Sequence, residues 1–81
     1  MRNNIAVGRT TDDLVRVASA GAGFEMNPVG RTTDDLVRIA SAMKNGGGTL
    51  TILGTIGRTT DDLVRIAAAG RGHVVFGVAP D

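Results

Sequence analysis

Nine residues, Gly-Arg-Thr-Thr-Asp-Asp-Leu-Val-Arg, occur three times without a change, at Gly8–Arg16, Gly30–Arg38 and Gly57–Arg65. A chain made of copies of one segment folds by stacking copies of one local structure, because a single copy cannot bury its own apolar face. Each copy runs on into a Val or Ile and then small residues, giving repeat cores at 8–20, 30–42 and 57–69 within one repeat domain over 1–81. The copies begin 22 and then 27 residues apart, at 8, 30 and 57. That period accommodates one helix and one strand per unit.

The helix is the clearer half. Thr10 is placed to cap it, with Asp13 three residues on in a capping-box arrangement. Asp12 and Asp13 stand in the first turn, where the helix dipole favours negative charge. Arg16 follows Asp12 by four residues and is in reach of an ion pair with it. Leu14, Val17 and Ala18 share one face with Val15 beside it, and Gly21 supplies a stop. The same marks recur from Thr32 to Gly46 and from Thr59 to Gly70.

Between these helices lie four β-prone runs, Ile5–Val7, Phe24–Val29, Thr49–Ile56 and His73–Ala79. The order β-α-β-α-β-α-β predicts an α/β fold, a short βα-repeat solenoid with three helices on one face of a four-stranded parallel sheet. Right-handed crossovers put every helix on the same side if the strands follow in sequence. Alternation assigns Ile5, Val7, Phe24, Met26, Leu50, Ile52, Val74, Phe76 and Val78 to the helix side. It assigns Ala6, Glu25, Asn27, Thr49, Thr51, His73 and Val75 to an open side. Pro28 belongs near a strand end, where its missing N–H does no harm.

Composition bounds the rest. The chain has 81 residues, two Phe, no Trp or Tyr, and no cysteine. An aliphatic core this small gives modest stability per subunit, and burial against a second subunit would add to it. Disulfides and thiolate metal sites are excluded. The net charge is +1, with no basic tract or acidic tail, which disfavours nucleic acid and membrane as partners. Met1-Arg2-Asn3-Asn4 is not the start of a signal peptide, so the expected location is cytoplasmic.

The stretch Thr32–Gly48, TTDDLVRIASAMKNGGG, resembles the first helix and glycine turn of TAL effector repeats, the DNA-reading solenoids. The resemblance ends at Thr49–Ile56, TLTILGTI, which stands where a second helix belongs; the DNA-reading superhelix is therefore not implied. Nearly the whole chain resembles short bacterial α/β repeat proteins with TTDDLVRIA-like helices and HVVF-like strands, a resemblance that implies a fold and no activity. Three identical nonapeptides are also what an engineered, symmetrised sequence contains.

The candidate sites follow from this layout. Arg9, Arg31 and Arg58 lie in the Gly-Arg-Thr-Thr turns at the carboxyl edge of the sheet, where helix starts attract anions. The Asp-Asp pair in each of those turns competes for the same dipole and favours a capping role. His73, the one histidine, would be separated from Glu25 by a strand, too far for an acid–base pair. Adjacent aspartates diverge by about 100° on a helix and do not converge on a metal. No catalytic residue, cofactor site or metal site is assigned. Glu25, Asn27, Thr49, Thr51, His73 and Val75 form the candidate interface on the open face. The last strand has no lysine or inward charge to guard its edge.

The expected function is a non-enzymatic structural or self-assembling protein, a homo-oligomer in which a two-fold dimer is the commonest arrangement. The alternatives are a module that binds a peptide or protein on the open face, and an anion or nucleic-acid binder acting through the Gly-Arg-Thr-Thr turns.

Overall fold

A computed structural model describes residues 8–78. Three helices alternate with three strands: α1 (Thr11–Ser19), β1 (Phe24–Met26), α2 (Thr33–Gly46), β2 (Leu50–Leu53), α3 (Thr60–Gly70) and β3 (Val74–Gly77). The strands are parallel and lie in sequence order, β1-β2-β3. Register is continuous across the sheet: Phe24, Leu50 and Val74 align, as do Glu25, Thr51 and Val75, and Met26, Ile52 and Phe76. The fold is α/β as the pattern requires, with a sheet of three strands rather than four among the described residues. The run Ile5–Val7, expected as a further strand, lies outside them, as does Ala6.

Each helix begins the same way because each begins with the same residues. Thr10, Thr32 and Thr59 are extended N-caps whose hydroxyls accept from the backbone N–H of Asp13, Asp35 and Asp62, each at 3.1 Å. In α2 and α3 the aspartate also reaches back to the N-cap N–H and closes the capping box; such a cap is worth about 1 kcal/mol. The helices end differently. Gly47 closes α2 in the left-handed region at φ 90°, where a residue lacking Cβ meets no steric cost. Arg71 closes α3 with φ 42°, the one non-glycine of positive φ among the described residues.

The core follows the two periodicities. Leu14, Leu36, Ile39, Met43 and Ile66 from the helices meet Met26, Leu50 and Ile52 from the strands, all fully or almost fully buried. Each such side chain contributes about 1.5–3 kcal/mol of burial. Phe24, Val74 and Phe76 are half-buried and pack on the same cluster, so the expected helix-facing phase holds in all three strands. Val78 departs from it: it is 89% exposed, because β3 ends at Gly77. The strands are shorter than the β-prone runs. Asn27 folds its side chain onto the N–H of Val29 at 2.9 Å, and Gly54 turns the chain at φ 107°. Both features stop extended pairing early. Pro28 sits buried just past β1.

Helices α1 and α2 differ in length by five residues, 9 against 14, the same difference as between the spacings of 22 and 27. From Ser19 to Gly30 and from Gly46 to Gly57 the chain advances by 11 residues each time. The longer period therefore lies wholly in the helix. At its end Gly46 packs so closely on α1 that a Cβ there would stand 2.0 Å from the Ala18 carbonyl oxygen.

Candidate functional site

The carboxyl edge of the sheet is where the turns into α2 and α3 lie, and where Arg31 and Arg58 meet the unit before them. Arg58 Nη1 donates to Thr33 Oγ1 at 2.9 Å, and Nη2 donates to the Arg31 carbonyl at 2.6 Å and to the Pro28 carbonyl at 3.1 Å. One unit back, Arg31 Nη1 donates to Thr11 Oγ1 at 2.9 Å and Nη2 to the Arg9 carbonyl at 2.7 Å. A planar guanidinium with five fixed donors suits such a fork across two acceptors. These two side chains are half-buried, whereas Arg9 is exposed. The three arginines named as anion sites thus divide into two that tie consecutive turns together and one that stands open.

A second row of contacts crosses the helix starts. Arg38 donates to Asp12 at 2.5 Å and Arg65 to Asp34 at 2.6 Å. The hydrogen bond and then the charge of Asp12 raise the Arg38 guanidinium above its ordinary pKa. The expected pairing of Asp12 with Arg16 inside one helix gives way to this bridge between helices. The packing of α2 on α1 places Arg38 within reach of Asp12. The two members of each Asp-Asp pair therefore differ in role. In the first two repeats Asp12 and Asp34 bridge to the next helix, while the carboxylates of Asp35 and Asp62 close the capping boxes and Asp13 gives its cap the backbone N–H alone. Among the described residues no cluster of three His, Asp or Glu side chains is arranged to hold a metal ion.

On the open face Glu25, Thr51 and Val75 stand side by side in register. Glu25, Thr51, Asn27 and His73 are half-buried, and Thr49 and Val75 exposed. His73 and Glu25 come from the two outer strands with β2 between them. His73 Nδ1 lies 2.7 Å from the Gly48 carbonyl oxygen, so this nitrogen carries the proton and donates. That bond ties the turn before β2 to the turn before β3 and gives the ring a structural role.

Sequence reasoning passed over Leu53. It follows Ile52 with its side chain on the open side, yet is 4% exposed. The turns after β1 and β2 fold over it and leave a pocket of about 120 Å³ lined by Asn27, Pro28, Val29, Leu53, Gly54, Ile56 and Arg58. The signal available in the sequence was the apolar residue just before each Gly-Arg-Thr-Thr, here Val29 and Ile56, both strongly exposed.

The two ends of the stack are unequal. The outer face of α1 carries a shallow groove lined by Arg9, Asp13, Arg16, Val17 and Ala20. At the other end Val64 on α3 is 59% exposed, whereas its counterparts Val15 and Val37 are half-buried against the core. Among the described residues strand β3 has a neighbour on one side alone, and Val75 is 49% exposed. No helix among the described residues is long and apolar enough to cross a membrane. No protein-family model matches the chain, and neither a curated protein nor a solved structure is similar enough to it to serve as a relative.

Proposed function

We propose that this chain is a non-enzymatic structural repeat protein that assembles with copies of itself. Its three helix–strand units stack as a short solenoid whose ends are left unfinished. The observation that carries this reading is the exposure of Val64, a residue whose counterparts in the first two units are half-buried against the core. Solenoids that work as monomers finish their end units with polar faces. Here the last helix ends the stack on a valine, and the last strand ends it on an unguarded edge. Asn27 and His73 on the open face, and Arg31 and Arg58 in the turns, are engaged in contacts that hold turns together, which supports a structural reading.

Sedimentation of the full chain over a wide concentration range tests the reading. The mass rises above the 8.3 kDa of one copy as concentration increases. A chain that stays monomeric at high micromolar concentration removes the proposal. The open face then becomes the better reading. Its in-register row of Glu25, Thr51 and Val75 offers an acidic, a hydroxyl and an apolar contact to an extended peptide.

A further inference from the structure

We infer that copies join head to tail, the outer face of α1 on one copy docking on the outer face of α3 of the next, through the same arginine contacts that join the units inside the chain. The inference rests on the self-assembly reading and gives it an interface. Inside the chain one rule is applied twice. The arginine at the second position of a nonapeptide donates to the second threonine and to the arginine carbonyl of the preceding nonapeptide, as Arg31 does to Thr11 and Arg9, and Arg58 to Thr33 and Arg31. The arginine at the ninth position donates to the first aspartate of the preceding one, as Arg38 does to Asp12 and Arg65 to Asp34.

Identical copies leave identical remainders. Among the described residues no nonapeptide stands before the α1 end for the donors Arg9 and Arg16 to reach. None stands after the α3 end for the acceptors Thr60 Oγ1, the Arg58 carbonyl and Asp61. Arg9, Arg16, Thr60 and Asp61 are all exposed, while Arg31, Arg58, Thr11 and Thr33 are half-buried. Among the described residues none of these four side chains meets a partner that would occupy it. Arg9 and Arg16, with Asp13 beside them, are exposed at the α1 end and Asp61 at the α3 end, so the guanidinium–carboxylate match found inside the chain is available between the two faces. A heterologous junction follows, which propagates as an open chain or closes as a ring, and a two-fold dimer does not use it. Seating Arg9 on Thr60 and Arg16 on Asp61 brings Val17 and Ala20 towards Val64, as the next helix does for Val15 and Val37. Strand β3 of the receiving copy already holds the sheet position beside the junction. The incoming copy therefore joins through its helix and turn.

The test uses three variants of the full chain, each checked for native helix content by circular dichroism. Asp61→Lys disables the acceptor end, and Arg9→Ala with Arg16→Ala disables the donor end. Each associates roughly tenfold or more weakly than the parent in sedimentation, the loss expected for a close interfacial charge pair. Mixing the two leaves one intact donor face and one intact acceptor face, and gives a 1:1 pair that grows no further. Arg16→Asp combined with Asp61→Arg in a single chain restores association. A parent chain that never associates defeats the self-assembly reading and this interface with it. A parent that associates while all three variants do so equally well defeats this interface alone. Growth of the mixture beyond two copies overturns it as well.

Discussion

The guanidinium of Arg58 and the hydroxyl of Thr33 meet at 2.9 Å across 25 residues of chain. Thr33 is the first residue of α2, and Arg58 stands in the turn that leads into α3. The contact therefore joins the starts of two neighbouring helices. Arg58→Ala is expected to cost about 1.5–3 kcal/mol, reduced by its partial exposure, since the hydrogen bonds are charge-assisted. Thr33→Val is expected to cost about 1 kcal/mol. Urea melts of the two single variants and the double variant give a coupling of at least about 0.5 kcal/mol for residues in contact. Additive losses would show that the pair does not act together. Arg9→Ala, at the open end of the same row, should leave the monomer within about 0.5 kcal/mol of the parent.

Ile52 and Phe76 face the same core from adjacent, aligned positions, yet one is buried and the other half-buried. Ile52→Ala should cost about 2–5 kcal/mol, the range for a buried aliphatic side chain. Phe76→Ala should cost about 2 kcal/mol, because part of its ring is already in water. Denaturant midpoints that reverse this order would mean that β3 packs deeper than described, as it would if a further strand or a second copy covered it.

Gly46 is expected to resist the substitution that helix propensity most favours. Alanine is preferred over glycine by about 1 kcal/mol in a helix interior. Here its Cβ would overlap the Ala18 carbonyl oxygen at 2.0 Å, and backbone cannot step aside as a flexible side chain does. Gly46→Ala should therefore destabilise by about 1–3 kcal/mol. Asn45→Ala, exposed one residue earlier, should shift stability by no more than about 0.5 kcal/mol. A stabilising Gly46→Ala in thermal melts would contradict the close approach of α1 and α2.

Arg71 ends α3 in a left-handed conformation, φ 42° and ψ 66°. That conformation costs a residue with a Cβ roughly 1 kcal/mol or more. Arg71→Gly relieves it at the cost of extra freedom in the unfolded chain. The balance should be a gain of roughly 0.5 kcal/mol, read as a small rise in Tm. A fall in Tm would indicate that the Arg71 side chain holds something that glycine cannot.

The helix starts and the strand phase were legible because both are local. Thr-Thr-Asp-Asp carries its own cap, and the alternation from Phe24 to Met26 or from Leu50 to Ile52 needs no knowledge of distant residues. The strand ends were less legible, since Asn27 and Gly54 break pairing through turn geometry that the β-prone run conceals. The partner of Asp12 was less legible for a different reason. Identical copies make a partner four residues away, as Arg16 is to Asp12, look equivalent to a partner one unit away. Arg38, 26 residues on, is the one that Asp12 meets. The pattern contains the pairing of types but not the choice of copy, and that choice is made by the packing of α1 on α2. Leu53 was missed because a turn, and not a helix, covers it.

The five extra residues of α2 lie at its far end, while the turns that carry Arg31 and Arg58 keep an unchanged advance of 11 residues from the preceding helix. One margin of the molecule thus acts as a fixed hinge line, where every unit must present the same groups at the same height. The opposite margin takes up the difference in helix length between α1 and α2, and there Gly46 packs against the Ala18 carbonyl. An insertion beside a Gly-Arg-Thr-Thr turn would put successive units out of step, whereas a change of helix length at the opposite margin must leave the Gly46–Ala18 contact in place.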